Sequence, residues 1–587
     1  MQPTAPYTTA YTSNRADGES TNIYGNVYGD VHFPSKPGEA SGPTPQQCLR
    51  DLRVTDPRED RARIEREKDR LLKDCYAWIL NDASFQQWMA DDSARLLWIK
   101  GDPGKGKTMM TMGVIAELAP RDSRDRAKPT PGTMSTMLAK LKLSSKPDSK
   151  GSSKSCLLAY FFCQSTRPEL NNAVSVLRGL IYLLVVQRPK LVQHVQKRYE
   201  TTGRQLFEGL NVIYTLREML SDMLHDDSLP MTYLLVDALD ECTSGLPDLL
   251  HIITDDSLAR RATVKWLVTS RNLPHIERHL QPDSCGVKVS LEVSARHVSK
   301  AVATFVDFKV QRLAAAQKYD SETQAEVQRQ LGDKAEGTFL WVSLVCRELE
   351  SVEYYRVREV LQELPPGLDP LYNRMMAQIL AQKRTQTTEF CKDILRSVTL
   401  AYRPLRVEEV AATAGLPLNQ FGNVQGVLDL ISRCSSFLTV RDGTVFFVHL
   451  SAKDYFTSGN GGQIFNGTVA DEQKRTAHQL LDVMDSTLQR DICEVRKPGV
   501  RIQEATCKIE NSSLPRIAYA CEYWTQHLQS ADSAEMLLDG GKVHRFFQKH
   551  LLYWLEAMSL LQKIPEAILA LQTLEVMLEV SCEQMQK

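Results

Sequence analysis

The chain has no CxxC pair, no signal-peptide pattern, no long apolar run and no excess of either charge. Its 13 cysteines are odd in number and scattered. No zinc site or disulfide framework is expected from them, and a reducing compartment fits. The amino-terminal MQPTAPYTTAYTS lacks the basic-then-apolar order of a secretory leader. The longest apolar stretch, around Leu180 to Val186, is far too short to span a bilayer. Lys and Arg total 71 against 72 Asp and Glu, and the net charge of -1 excludes a global basic field that would gather nucleic acid. No WD, ankyrin or TPR signature is found. The expectation is a cytoplasmic protein with no stable membrane insertion and no nucleic-acid partner. What is present is ordinary core material: 42% hydrophobic and 24% charged residues in a chain of 587. That length suits about three to five structural units.

Composition shifts divide the chain. Residues 1–47 are rich in Thr, Ser, Gly, Pro and Tyr and poor in Leu, a composition that cannot repay its ordering entropy as a globule. Residues 48–92 read as a helical linker. Asp56 suits a cap and Pro57 a first helical turn, and Ile64, Leu71, Leu72, Cys75, Trp78 and Ile79 fall at helical spacing across RARIEREKDRLLKDCYAWIL. Residues 93–295 alternate short apolar runs with helical stretches. Strands are expected at Leu96–Ile99, Leu158–Cys163, Tyr233–Val236, Val264–Thr269 and Val287–Val293, in a doubly wound parallel α/β sheet. An insertion at about 120–154 is rich in Ser, Lys, Pro and Thr. Residues 296–400 are helical. Residues 401–465 combine a helix with the hairpin signal Phe437–Val440, Arg441-Asp442-Gly443, Val445–Val448, as a winged helix would. Residues 466–587 are helical and amphipathic.

Two motifs carry chemistry. Gly101-Asp102-Pro103-Gly104-Lys105-Gly106-Lys107-Thr108 fits G-x-x-x-x-G-K-[ST] between a strand and a helix that continues through Met109. The glycines let backbone N–H groups turn around an anion, and the helix N-terminus adds partial positive charge. Lys107 suits the β- and γ-phosphates of a nucleotide, and the Thr108 hydroxyl suits Mg²⁺. The second motif is the apolar run Tyr233–Val236 ending in Asp237-Ala238-Leu239-Asp240-Glu241. Asp237 suits Mg²⁺ through its water shell, small Ala238 leaves room, and Asp240 or Glu241 suits orientation or deprotonation of water. Arg271, at the end of the next strand, is placed to sense a γ-phosphate.

These residues, with GTFLWVSLV, LPPGLDPLY and FVHLSAKDYF further on, resemble the NACHT NTPases of filamentous fungi, in the STAND class that includes vegetative-incompatibility proteins. The resemblance covers roughly residues 48–460. It implies a P-loop NTPase core, a helical domain and a winged helix. It puts Gly101 to Met109 on the nucleotide, ATP or ADP with GTP left open, and Thr108 and Asp237 on Mg²⁺. Asp240, Glu241 and Arg271 fall on the water-activating and sensor positions. His449 of FVHLS matches a histidine that contacts the β-phosphate of ADP, and Pro404 resembles a winged-helix proline near the base. The implied function is a signalling switch in non-self recognition, heterokaryon incompatibility or programmed cell death. It would hydrolyse slowly and self-oligomerise on activation. The chain departs from the family pattern in its long insertion and in having no repeat array after residue 460. A plain P-loop ATPase or kinase, and a winged-helix DNA-binding ATPase, are the alternatives. Within the tail, Ile23-Tyr24-Gly25-Asn26 and Val27-Tyr28-Gly29-Asp30, followed by Val31, repeat a unit suited to cross-β stacking. Residues 22–33 loosely resemble fungal amyloid signalling motifs, which implies an effector carrying a like motif.

Overall fold

The computed structural model describes residues 44–67, 72–119, 156–209, 211–259, 263–280, 286–381, 385–458, 464–496, 500, 502–531 and 534–585. The Tyr-Gly repeat and the whole of the 120–154 insertion lie outside the described residues.

Five strands form one sheet: β1 (Leu96–Lys100), β2 (Leu157–Phe162), β3 (Thr232–Asp237), β4 (Val264–Ser270) and β5 (Gly286–Ser290). Every pairing is parallel and the order is β2-β3-β4-β1-β5. Strands β2, β3 and β4 are buried along their whole length. This is why they read as continuous apolar runs rather than alternating ones. Helix Ala173–Gln187 packs on β2, helix Lys107–Leu118 on β3 and β4, and helix Ala83–Ala90 on β1 and β5. Because β4 lies between β1 and β3, its carboxyl end emerges between the two motif-bearing strands. The Gly101 N–H donates to the Ser270 carbonyl at 3.2 Å, and the Cys163 N–H to the Asp237 carbonyl at 3.0 Å. Four strand ends therefore meet at one edge, where open α/β sheets place ligands.

Two local expectations differ from the structure. The strand at 287–293 stops at Ser290, because the Ser294 N–H turns back to the Ser290 carbonyl at 3.0 Å and leaves Val293 88% exposed. The periodic run 61–80 is not one helix among the described residues. It holds a helix at Pro57–Glu67, a single turn at Lys73–Tyr76 and a 3-10 segment at Ala77–Asn81. Burial overrides the period there: Cys75, Tyr76, Ile79 and Leu80 are all buried. A Cβ on Gly113 of the Lys107 helix would stand 2.3 Å from the Tyr76 ring, so glycine is what admits that ring.

Helices Ala295–Gln317, Ser321–Lys334, Phe339–Glu350, Val357–Glu363 and Leu368–Leu380 follow the sheet. Next come helices Thr385–Leu400, Val407–Thr413 and Val424–Arg433, then the antiparallel hairpin β6 (Leu438–Arg441) and β7 (Thr444–Phe447), and helix Leu450–Thr457. Asp442 and Gly443 both have positive φ, as a two-residue turn matched to strand twist requires. This is the winged-helix arrangement. Helices Val469–Thr487, Ile502–Glu510, Leu514–Ser530, Lys542–Leu560 and Ile564–Met585 complete the described chain. They are joined to the winged helix by a buried cluster. Arg403 donates to both Glu409 oxygens at 2.7 and 2.8 Å and approaches Glu522 at 3.4 Å, with its guanidinium over the rings of Tyr519 and Tyr523.

Candidate functional site

The strand ends open onto a cavity of about 490 Å³. Gly104 and Gly106 have φ of 78° and 88°, a left-handed backbone that glycine adopts without strain, and Gly106 begins the helix that carries Lys107. The loop is also docked from outside. The Phe339 N–H donates to the Gly104 carbonyl at 3.0 Å, and a Cβ on Gly104 or Gly106 would press into Leu340 or Phe339. The Lys107 ammonium folds into the loop and donates to the carbonyls of Gly101 and Asp102. Burial pushes its pKa down, while Asp240 and Asp237 act in the opposite direction. The Asp102 N–H is held by Glu292 at 2.7 Å.

The acidic strand end is as carefully fixed. One Asp237 oxygen accepts from the hydroxyls of Thr111 at 2.9 Å and Thr269 at 2.7 Å. Ala238 takes φ 54°, ψ 51°, and its N–H donates to Thr269 Oγ1 at 2.9 Å. Such a backbone strains a residue with a Cβ and redirects the chain after Asp237. Asp240 is bound to Arg271 twice, by the backbone N–H at 3.0 Å and by Nε at 3.0 Å. Glu241 accepts from the Ser165 N–H at 3.0 Å and the Ser165 hydroxyl at 3.3 Å.

The winged helix covers this edge. Arg271 Nη1 reaches Asp454 at 2.6 Å, and Arg441 of the hairpin reaches Glu67 at 2.8 Å. His449 caps helix Leu450–Thr457: its Nδ1 accepts the Ser451 N–H at 3.1 Å. That bond fixes the neutral tautomer's proton on Nε2.

Of the expected residues, Pro103, Gly104, Gly106, Lys107, Thr108, Met109, Asp240, Glu241, Arg271 and His449 line the cavity together. Gly101, Asp102, Lys105 and Asp237 do not. Gly101 and Asp102 hold Lys107, Lys105 binds the Glu336 carbonyl at 2.9 Å, and Asp237 stands 2% exposed behind its two hydroxyl donors. Among the described residues no three His, Cys, Asp or Glu side chains form a metal cluster. A Mg²⁺ needs none, since it takes one or two protein oxygens and keeps water and phosphate for the rest. The Thr108 hydroxyl and the Asp237 carboxylate are hard oxygen donors that fit such an ion, Asp237 through water.

Five cations on the walls went unread in the sequence: Arg63, Arg167, Lys309, Arg347 and Arg441. Leu72, Cys75, Phe305 and Phe339 supply an apolar wall suited to a base. The turn Gln164 to Arg167 carried a usable signal, because it follows a predicted strand at its carboxyl end.

A glycine-turned loop between a parallel strand and a helix, facing an acidic strand end across an intervening strand, defines a P-loop NTPase fold. The family described as Nephrocystin 3, N-terminal, matches residues 74–271. The chain is 38% identical over 579 residues to vegetative incompatibility protein HET-E-1 of Podospora anserina, across 94% of this chain. It spans only 40% of that protein's length. Across most of its own length the chain is therefore similar to a fungal vegetative-incompatibility protein. A likeness to the crystal structure of Cdc6p from Pyrobaculum aerophilum covers 68% of this chain and 95% of that one at 11% identity, with a TM-score of 0.27.

Among the described residues no helix is long and apolar enough to cross a membrane.

Proposed function

We propose that the chain is a nucleotide-operated signalling switch in fungal incompatibility. ADP with Mg²⁺ would hold the closed form, and ATP would favour an open form that self-associates. One observation carries this reading: the winged helix roofs the cavity that the phosphate loop floors. His449, Phe446 and Val448 line it with Lys107 and Glu241, and the Arg271–Asp454 and Arg441–Glu67 ion pairs tie roof to floor. A nucleotide in that space touches both parts at once, so its identity biases their separation only by its differential affinity for the two states. Its phosphates would also add to the negative charge that Asp240 and Asp237 present to buried Lys107. Lys107 and Thr108 would hold phosphate and metal, Glu241 would take a proton from water, and hydrolysis would be slow and reset the switch. Residues 466–587 would belong to the moving side. An effector with a motif like that of residues 22–33 is the proposed partner of the open form.

The test is to purify the full chain, identify any nucleotide it carries, and measure its size with ADP and with a non-hydrolysable ATP analogue. ADP in the monomer and larger particles with the ATP analogue are expected. Fast turnover at unchanged size would mark a plain enzyme, and retention on DNA at moderate salt a nucleic-acid ATPase.

A further inference from the structure

We propose that Ser165 is a positioning residue that restrains Glu241, and that the winged-helix hairpin sets this restraint through Arg441, Glu67, Arg63 and Gln164. The proposal rests on the nucleotide-switch reading above.

Each link is a direct contact. Arg441 of β6 reaches Glu67 at 2.8 Å. The other Glu67 oxygen faces Arg63 at 3.4 Å, and Arg63 donates to Gln164 Oε1 at 2.9 Å. Gln164 precedes Ser165 in a turn closed by two backbone bonds, Gln164 N–H to Leu170 carbonyl and Arg167 N–H to Gln164 carbonyl, both 3.0 Å. Ser165 then gives Glu241 both its N–H and its hydroxyl on a single oxygen, Oε2. Arg63, Glu67, Gln164, Glu241 and Arg441 all face the one cavity.

A carboxylate oxygen that already accepts two hydrogen bonds is a weaker base, because those bonds favour the charged form. In hydrolysis Glu241 would take a proton from water while the water oxygen bonds to the γ-phosphorus. The bond from that phosphorus to the β–γ bridging oxygen would break, and its electron pair would leave with ADP. With Ser165 on Oε2, this proton acceptor is held back as long as the turn is held. The turn is held by Arg63, whose other partners are Asp60 of the same helix, at 3.0 Å, and Glu67, which the hairpin pins. Lifting the winged helix breaks Arg441–Glu67, so that unpinned Glu67, together with Asp60, competes with Gln164 for Arg63 and loosens the turn. Hydrolytic competence thereby becomes a property of the open form.

The experiment uses the full chain with ATP and Mg²⁺, reading fluorescent ATP affinity and single-turnover hydrolysis separately. Ser165→Ala removes the hydroxyl but keeps the N–H. It should hydrolyse about tenfold faster than wild type at unchanged affinity. Ser165→Thr, which restores the hydroxyl, should return the wild-type rate. Arg441→Ala should accelerate hydrolysis as well, and less than additively with Ser165→Ala. In a Glu241→Gln background Ser165→Ala should be silent. A wild-type rate for Ser165→Ala, or the same acceleration in the Glu241→Gln background, would overturn the proposal while leaving the switch intact. Equal ATP affinity in wild type and Lys107→Ala would instead remove the nucleotide reading and this proposal with it.

Discussion

Asp454→Ala cuts the ion pair that fastens the winged helix to the end of β4. Arg271 Nη1 and Asp454 Oδ2 stand 2.6 Å apart, with side chains 17% and 43% exposed. Such a pair would be strong in a dry interior, but Asp454 is over a third exposed and solvent screens it. Burial also holds the Asp454 carboxyl above its ordinary pKa, and Asp240 adds to that rise against the pull of Arg271. The net value is therefore set at about 1 kcal/mol, equivalent to a roughly fivefold shift from closed toward open. The assay is release of fluorescent ADP by rapid mixing. Asp454→Ala should release it about fivefold faster, with the ATP-driven increase in size arriving at lower nucleotide concentration. Arg271→Ala should cost more, because Asp240 then loses its Nε partner as well. The double variant should match Arg271→Ala alone, giving a coupling of about 1 kcal/mol. Fully additive effects, or an unchanged release rate in Asp454→Ala, would refute the latch.

Three other outcomes are expected. Lys107→Ala should abolish nucleotide binding, checked by titration calorimetry with ATP and Mg²⁺, because no other cation enters the loop carbonyls at Gly101 and Asp102 among the described residues. His449→Ala removes both the cap of helix Leu450–Thr457 and a cavity wall, at a cost of about 1 kcal/mol for the cap alone. His449→Asn keeps a capping side chain, so faster ADP release in both variants assigns His449 to the nucleotide, and faster release in the alanine variant alone assigns it to the helix. His527 is fully buried, and burial lowers its pKa to about 3. Its Nε2 accepts from the Tyr519 hydroxyl, so a proton there would meet another donor. A depressed histidine leaves the unfolded chain binding more protons. Its stabilisation is complete above about pH 6.5 and is lost as pH falls toward about 3, by at most about 5 kcal/mol. Urea midpoints should fall over that window in wild type and more shallowly in His527→Gln.

The sheet was legible wherever a strand is buried on both faces. Leu158–Cys163, Tyr233–Val236 and Val264–Thr269 all coincide with strands to within a residue or so, because an apolar run without alternation has few other uses. The phosphate loop was legible because its chemistry is local, with glycine conformation, lysine and helix start inside one octapeptide. The far wall was not. Arg63, Arg167, Lys309, Arg347 and Arg441 come from segments far apart in sequence, and each alone reads as a solvated surface charge. The strand order was equally silent, since nothing in Val264–Ser270 says that it lies between the other two. That order is what brings Arg271 to Asp240 rather than leaving it at a sheet edge. The roles of Asp237 and Glu241 were read from residue type, and their holders Thr111, Thr269 and Ser165 were missed because a hydroxyl in a helix, strand or turn carries no signature of its partner.

Tyr76 occupies the space that a side chain on Gly113 would need, and it lies ahead of the first strand of the sheet. A graft cut just before Leu96 would carry the phosphate-loop helix away with a bare notch in its flank. Any inherited enlargement at position 113 has to arrive with a smaller residue at position 76, so the two sites should drift as a pair among related chains. The stretch that matches the family begins at residue 74, two positions before that ring. A fragment that keeps the phosphate-loop helix packed therefore has to begin ahead of the tyrosine, and what looks from composition like a tether is part of the sheet's packing.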